Sequence, residues 1–193
     1  MQDLGSLGGT YAQVTHINNR GQVTGFMTLP GDESNHPFLW ERGTLKDLGT
    51  FGGSNGAATW LSDSGDVVGN ADFPGDQFHD AFLWRDGVMT DLGNLGVTSV
   101  AASINSKRQI VGVSRISRVP SQVSAFLWEN GGPMVDLNTL VPANSALHMV
   151  FAEYINDRGE IAGTGVPPGI SIQDFLEDES LGHAFLLIPV GQD

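Results

Sequence analysis

A four-fold internal repeat constrains the fold of this chain more than any other feature of its sequence. The segment HPFLW (36–40) returns as DAFLW (80–84), as SAFLW (124–128) and, with its last residue changed, as HAFLL (183–187). The phenylalanines of these segments are separated by 44, 44 and 59 positions. Three further marks recur in the same order, namely an aspartate (Asp3, Asp47, Asp91, Asp136), an aliphatic residue (Ile17, Leu61, Ile104, Ile155) and a glycine (Gly25, Gly69, Gly112, Gly163). The chain therefore consists of four copies of one supersecondary unit.

Each copy is predicted to form four short antiparallel strands. In the first copy, the β-forming segments 11–18, 22–28, 36–41 and 44–49 are separated by turn residues or by a loop. Four strands in about 44 residues are typical of a β-propeller blade, and a β-sandwich of short strands is the alternative. The predicted blades span about 10–48, 55–92, 97–137 and 148–190. The segment 171–180 is the one helical candidate, with Ser171 and Asp174 spaced as in a capping box.

The ends of the chain favour the propeller. The fourth copy stops after its third strand, whereas the chain begins with MQDLG, which has the pattern of a fourth strand. In a ring, residues 1–4 complete the last blade. We therefore predict one all-β domain, a closed four-bladed propeller of four-stranded antiparallel blades. A closed ring predicts a monomer, and an unclosed strand edge would be available to a second copy of the chain.

The order of the submotifs resembles the bacterial HAF-repeat family. The patterns D-L-G-x-L/F-G-G, I-N-x-x-G-x-I/V-x-G and H/D/S-A-F-L-W recur over nearly the whole chain, and HAF itself stands at His183, Ala184 and Phe185. The sequence departs from the family pattern at Pro37, Asp80, Ser124, Leu140 and Val141. The resemblance implies a propeller-like fold and an exported, extracellular or periplasmic protein. It implies no particular activity.

Composition narrows the classes of partner. With 9 Lys and Arg against 22 Asp and Glu, the net charge of −13 repels phosphate backbones, so we expect no nucleic-acid partner. No apolar run approaches the length of a membrane span, so we expect no membrane insertion. The chain has no cysteine, which excludes disulfides and thiolate ligands. The 26 glycines recur at fixed places in the repeat, and we predict that they mark turns.

The FLW segments are predicted to be structural. Their Phe and Trp side chains lie two residues apart and therefore share one face of a strand, while Leu faces the other side. Function is better sought where the copies differ. One such place is a position of the innermost strand of each blade. In a propeller the innermost strands border a central channel, and residues there suit the stacking and hydrogen bonding of a small polar ligand. The predicted ligand-binding residues are His16, Trp60, Ser103, Glu153 and Tyr154.

The loops between second and third strands also differ, at 28–35, 71–79, 114–123 and 164–182. We call the end of the repeat that carries these loops and the entry loops to the first strands the variable end. It is acidic and bears histidines, which suit a divalent cation or acid/base catalysis. The candidate metal ligands are His36, His79, Asp80 and His183, and the candidate catalytic residues are His79, Asp80, Asp174 and His183.

Three functions remain open from the sequence. The first is a binding module that holds a glycan or a protein surface at the variable end or the channel mouth. The second is a hydrolase or lyase acting on a polysaccharide or another polymer, with or without a divalent cation. The third is a structural repeat used in adhesion or assembly. No P-loop, nucleophile elbow or zincin motif occurs in the chain, which favours the binding module.

Overall fold

The computed structural model describes residues 1–118 and 121–190 and is an all-β chain of antiparallel sheets. It divides into two compact units, Met1–Asp91 and Leu92–Asp193, and each unit contains two of the sheets. We number the sheets 1 to 4 along the chain. Sheets 1, 2 and 3 have four strands each in a simple up-and-down order, and sheet 4 has three.

The strands of the first unit are β1 (Ala12–Ile17), β2 (Val23–Thr28), β3 (Asn35–Glu41) and β4 (Thr44–Asp47) in sheet 1, then β5 (Gly56–Leu61), β6 (Val67–Asp72), β7 (His79–Arg85) and β8 (Val88–Asp91) in sheet 2. Those of the second unit are β9 (Thr98–Ile104), β10 (Ile110–Arg118), β11 (Ser121–Trp128) and β12 (Val135–Asp136) in sheet 3, then β13 (His148–Ile155), β14 (Ile161–Val166) and β15 (His183–Leu187) in sheet 4. Strand for strand, the prediction of four antiparallel meanders is confirmed, except for a fourth strand in sheet 4.

The helical candidate is also confirmed. Helix α1 (Ile172–Glu177) begins after Ser171, and a single 3₁₀ turn, Glu179–Leu181, follows it. The Ser171 hydroxyl oxygen accepts a hydrogen bond from the Asp174 backbone N–H at 3.1 Å and donates to the Asp174 carboxylate at 2.7 Å. A second 3₁₀ turn, Leu137–Thr139, follows β12.

One predicted loop is wrong. In sheet 3 the segment 114–123 mostly continues the ladder between β10 and β11, with Arg115 opposite Val123 and Arg118 opposite Ser121. The β-branched residues Ile116 and Val123 favour this extension of the strands, which has one irregularity in register between Arg115 and Ser117. Residues 119 and 120 of the predicted loop lie outside the described part of the chain.

The repeated FLW segments form the core. Phe38, Phe82 and Phe126 are fully buried, as predicted. Leu39 of sheet 1 belongs to one cluster with Phe82 and Trp84 of sheet 2. In the second unit, Leu127 of sheet 3 packs in the same way against a cluster that includes Phe185 of sheet 4. Within each unit, the Leu face of one sheet therefore covers the Phe face of the next, and both faces of a strand are apolar for that reason.

Four of the repeated glycines lie inside strands and not at the turns predicted for the glycines in general, and the predicted strand 22–28 already contained one of them, Gly25. Gly25, Gly69, Gly112 and Gly163 lie in the middle of second strands. A Cβ at any of them would overlap a main-chain carbonyl oxygen of the adjacent first strand. Each first strand carries an irregularity in register close to this contact, between Ala58 and Trp60 in sheet 2 for example. The glycine admits the close approach that the bulged first strand requires.

A buried asparagine joins the two sheets of each unit. Asn18 Oδ1 accepts hydrogen bonds from the backbone N–H groups of Arg20 and Gln22, both at 3.0 Å, and so closes its own turn. Its Nδ2 donates to Gln22 Oε1 at 2.6 Å and to the Ser62 carbonyl of the next sheet at 2.8 Å.

Asn105 repeats this arrangement in the second unit. Its Oδ1 accepts from Lys107 and Gln109 N–H, and its Nδ2 donates to the Asn156 carbonyl at 2.9 Å. The residues predicted as turn formers therefore also hold neighbouring sheets together.

The prediction that residues 1–4 form a strand is wrong, because the described chain has its first strand at Ala12. Leu4 and Leu7 instead pack against a cluster of sheet 1 that contains Val23, Met27 and Phe38. Leu48 and Leu137, which follow the aspartates of later D-L pairs, likewise pack against the cluster of the following sheet in their own units. Leu4 therefore packs in the same way as the leucines of the later D-L pairs, although residues 1–4 form no strand. In the part of the chain that the structure describes, no helix is long and apolar enough to span a membrane.

Candidate functional site

In sheets 1 and 2, the loop after the second strand lies beside the entry loop of the same sheet. In sheet 1 the Asp32 carboxylate accepts hydrogen bonds from the backbone N–H and the hydroxyl of Thr10, both at 2.7 Å. In sheet 2, Asp76 Oδ1 accepts from the Ser54 N–H at 2.6 Å. The loop after the second strand therefore touches the entry loop of its own sheet, as the meander topology predicts.

These two aspartates have a structural task. Asp32 and Asp76 both have a positive φ, of 59° and 56°, in repeated Pro-Gly-Asp turns. Hydrogen bonds, chiefly from Thr28, lower the pKa of the Asp32 carboxyl, and the bonds from Ser54 lower the pKa of Asp76. Both carboxylates are occupied in fixing loop geometry, so part of the acidic end has a structural explanation.

The candidate catalytic and metal-binding residues of the first unit have separate neighbours. The Nδ1 atom of His36 lies 2.9 Å and 3.0 Å from the two carboxylate oxygens of Asp47. His79 Nδ1 lies 3.9 Å from Asp72 Oδ1, and Asp80 is buried. The two candidate histidines of the first unit, His36 and His79, therefore face different carboxylates.

The remaining candidates lie in the second unit. His183 is exposed on β15, and the Asp174 carboxylate accepts a hydrogen bond from Ser171, the residue that caps helix α1. Within residues 1–118 and 121–190, no group of three or more His, Asp or Glu side chains is arranged to hold one metal ion.

The His36–Asp47 pair belongs to the repeat pattern. In sheet 3, Ser124 occupies the position of His36, and its hydroxyl donates to Asp136, the equivalent of Asp47, at 2.6 Å. The aspartates of the D-L pairs also cap the following turn, as when Asp47 Oδ1 accepts from the Gly49 N–H at 2.8 Å. The spacing of these two repeat positions in the sequence, 11 or 12 residues, is the signal that would have revealed this contact.

The predicted ligand-binding residues are divided between the two units: two lie in the first unit and three in the second. In the first unit, the His16 and Trp60 rings stack with centroids 3.9 Å apart and planes inclined by 27°. In the second unit, Tyr154 is half-exposed and Glu153 accepts a hydrogen bond from Thr164 at 3.1 Å. Ser103 is buried, and its Oγ lies 3.4 Å from the Ile155 N–H that donates to it across the sheet interface. Ser103 therefore contributes to packing between sheets rather than to an accessible surface.

The stacked pair in the first unit has a defined electrostatic setting. Partial burial lowers the pKa of His16, and the nearby Asp63 carboxylate opposes this shift. Hydrogen bonds from the Asn19 side chain and backbone lower the pKa of Asp63, so that Asp63 stays ionised beside the imidazole.

A recess at the variable end of the second unit was not predicted. A groove of about 320 Å³ opens between the entry loop of sheet 4 and the loop that follows β14. Most of the side chains that line it are apolar and three are prolines, and they include Pro142, Leu147, Pro167, Pro168, Ile170 and Ile172. Neither wall carries a charged side chain.

His148 is the residue of this groove that sequence reasoning missed. Its Nε2 atom is shielded from solvent and has no hydrogen-bond partner, the single case of this kind among the described side chains. The other polar residues of the groove are engaged: Asn138 bonds the Met149 backbone at 2.8 Å and 2.9 Å, and Ser145 donates to the Pro142 carbonyl at 2.6 Å. A buried unpaired nitrogen costs about 1–3 kcal/mol, so this atom gains from any partner that reaches it.

Comparisons with protein-family models, curated proteins and solved structures found no match to this chain. The resemblance to the HAF-repeat family therefore stays a prediction from the sequence motifs.

Proposed function

We propose that this protein is an exported bacterial binding module that recognises a protein or glycan surface at its variable end. The observation that carries the proposal is the groove of the second unit, where two loops of the variable end enclose a recess of about 320 Å³. A concave recess lined mostly by apolar side chains, with a few polar groups, is typical of a ligand site. The proposed export, to an extracellular or periplasmic location, rests on the motifs of the repeat alone.

Binding to the groove is tested by filling it. Ala143 is exposed and lines the groove, so Ala143→Trp adds bulk there without entering the core. Ala12→Trp adds the same bulk to an exposed position of β1. The probes are a positional-scanning library of acetylated and amidated hexapeptides, together with chitin-, cellulose- and xylan-derived oligosaccharides. We expect binding to the unmodified protein and to Ala12→Trp, and weaker binding to Ala143→Trp. Absence of binding to every probe, or equal binding by both variants, would contradict the proposal.

We further propose that the four sheets are the blades of a closed four-bladed propeller. Two observations support this architecture. The buried asparagine of one sheet meets the main chain of the next sheet in both units, and Leu4 packs as the D-L leucines of later repeats do. In the proposed ring, residues 1–4, which form no strand in the described chain, lie beside the outer edge of β15, the position that the fourth strand has in sheets 1 to 3.

Closure is tested with an engineered disulfide in this cysteine-free chain. Leu39 lies opposite Lys46 in sheet 1, so repeat alignment places Gln2 opposite Leu186. Directly opposed strand residues have the Cα separation that a disulfide requires. Gln2→Cys/Leu186→Cys should form an intramolecular disulfide, while Gln2→Cys/Thr90→Cys stays reduced. A purely intermolecular disulfide in the first pair would indicate strand exchange between copies, and no disulfide would refute closure.

A polymer-degrading hydrolase or lyase is the second candidate function. The observation that favours it is the His36–Asp47 pair, because a carboxylate on Nδ1 orients an imidazole as a general base. His79, Asp80, Asp174 and His183 remain candidates beside it, and a divalent cation remains a candidate cofactor. This function predicts release of reducing ends from a soluble polysaccharide, with loss of that activity in His36→Gln. Elemental mass spectrometry of the purified protein, with melting before and after chelation, tests the cation.

A further inference from the structure

We propose that the groove of the second unit binds an extended polypeptide segment that presents an apolar side chain next to a lysine or arginine. This inference rests on the proposed binding function and assigns its ligand class. His148, which opens β13, is the polar anchor, and the walls supplied by the entry loop and the loop after β14 hold the apolar side chain.

The supply of polar atoms in the groove favours a peptide over a sugar. Asn138 and Ser145 already bond to the backbone, which leaves His148 Nε2 as the one buried side-chain atom without a partner. A monosaccharide would bring several hydroxyl groups among side chains that are mostly apolar, where those of Asn138 and Ser145 are already engaged, and each unpaired hydroxyl lowers affinity. The walls also lack a flat Trp, Tyr or Phe ring on which a sugar would stack. An apolar side chain suits these walls.

A peptide backbone satisfies His148 in either tautomer. If Nε2 is unprotonated it accepts from a backbone N–H, and if it is protonated it donates to a backbone carbonyl. Nε2 is covered in the ligand-free chain, so pairing requires a rotation of the ring or of a side chain in the groove wall. Such rotamer changes are common when interfaces form.

The acidic residues that follow the groove wall in the sequence favour a lysine or arginine next to the apolar side chain of the peptide. Helix α1 begins at the wall residue Ile172, and Asp174, Glu177, Asp178 and Glu179 follow within seven positions. No lysine or arginine occurs after Arg158 in the sequence. A cationic residue next to the apolar anchor is therefore attracted to this rim, and its contribution weakens as salt screens the charges.

The test uses the hexapeptide library on the full chain, with affinities read by fluorescence anisotropy at low and high salt. We expect peptides with Leu, Ile or Met next to Lys or Arg to bind best. His148→Phe keeps a ring but removes the nitrogens, and it should weaken the best peptide roughly three- to tenfold without lowering the melting temperature. Gln122→Phe, which places the same ring on an exposed position of β11, should leave affinity unchanged.

Charge is tested separately from shape. Glu177→Gln/Glu179→Gln removes two charges from helix α1 and the turn after it, whereas Glu33→Gln/Asp86→Asn removes two from exposed positions of the first unit. The first pair should weaken binding and reduce its salt dependence, and the second should do neither. Peptide binding that ignores His148→Phe, or that prefers acidic peptides, overturns this inference while the binding function stands. Binding of oligosaccharides alone also overturns it, and no binding by any probe overturns both.

Discussion

Loss of the buried asparagine should destabilise the first unit by an amount that its contacts define. In Asn18→Ala the Gln22 N–H loses its acceptor while it remains buried, which costs about 1–3 kcal/mol. The Ser62 carbonyl keeps a bond from the Gly65 N–H, so only the net worth of one hydrogen bond is lost there, about 0.5–1.5 kcal/mol. Water replaces the contact to the exposed Arg20 N–H. Gln22 Oε1 also loses its donor, which adds about 0.5–1.5 kcal/mol, so the expected loss of unfolding free energy is about 2–6 kcal/mol.

Three further variants separate the turn from the joint between sheets. Asn105→Ala should behave like Asn18→Ala, because its four hydrogen bonds are the same. Asn18→Ser should cost less, since Ser62 stands at the equivalent place in sheet 2 and its hydroxyl accepts from the Asp66 N–H at 3.0 Å. Asn19→Ala removes only an exposed contact to Asp63 and is the matched control.

The assay is equilibrium unfolding in urea, followed by tryptophan fluorescence and far-ultraviolet circular dichroism. The linear dependence of the unfolding free energy on urea gives the loss for each variant. If Asn18→Ala and Asn105→Ala lose no more than Asn19→Ala, the asparagine does not hold the sheets together and the reasoning is refuted.

Three other predictions follow from the contacts. Gly69→Ala should lose about 1–3 kcal/mol in the same assay, because its Cβ overlaps the neighbouring strand, while Gly132→Ala should change little, and equal losses would contradict this account. Because the pKa of His16 is lowered in the folded chain, the contribution of His16 to the unfolding free energy is present above about pH 6.5 and is lost as the pH falls below that value. An NMR titration of Asp63→Asn should show the pKa of His16 decreasing further, and an increase would contradict the assigned cause. Ser171→Ala should cost about 1 kcal/mol and speed amide exchange in helix α1, and unchanged exchange would argue against the capping box.

The repeat made most of the fold predictable. Alternating β-formers fix the strands, and a mark present in four copies signals a structural role, as the burial of Phe38, Phe82 and Phe126 confirms. The Pro-Gly-Asp turns at Asp32 and Asp76 carried the same signal, since they too recur. The structural reason for the mid-strand glycines was not predicted, because the sequence does not show which main-chain atoms of the adjacent strand approach them.

The candidate site was less accessible to sequence reasoning. His148 has no counterpart in the other copies, and a groove between two loops depends on where both loops lie in space. Prolines in both loops, at 142 and at 167 and 168, were the available hint. The stacking of His16 on Trp60 was within reach, because both occupy one repeat position in neighbouring sheets.

The hydrogen bond from the buried asparagine does not depend on which side chains the neighbouring sheet carries. Asn18 and Asn105 donate to a main-chain carbonyl of the next sheet, and every residue type supplies that acceptor. Mutation of the receiving residue therefore leaves the acceptor in place, and a duplicated repeat brings its own donor with it. Loops and surface residues of one copy are free to diverge without a matching change in its neighbour, which is how a small set of near-identical units acquires one copy with a groove of its own.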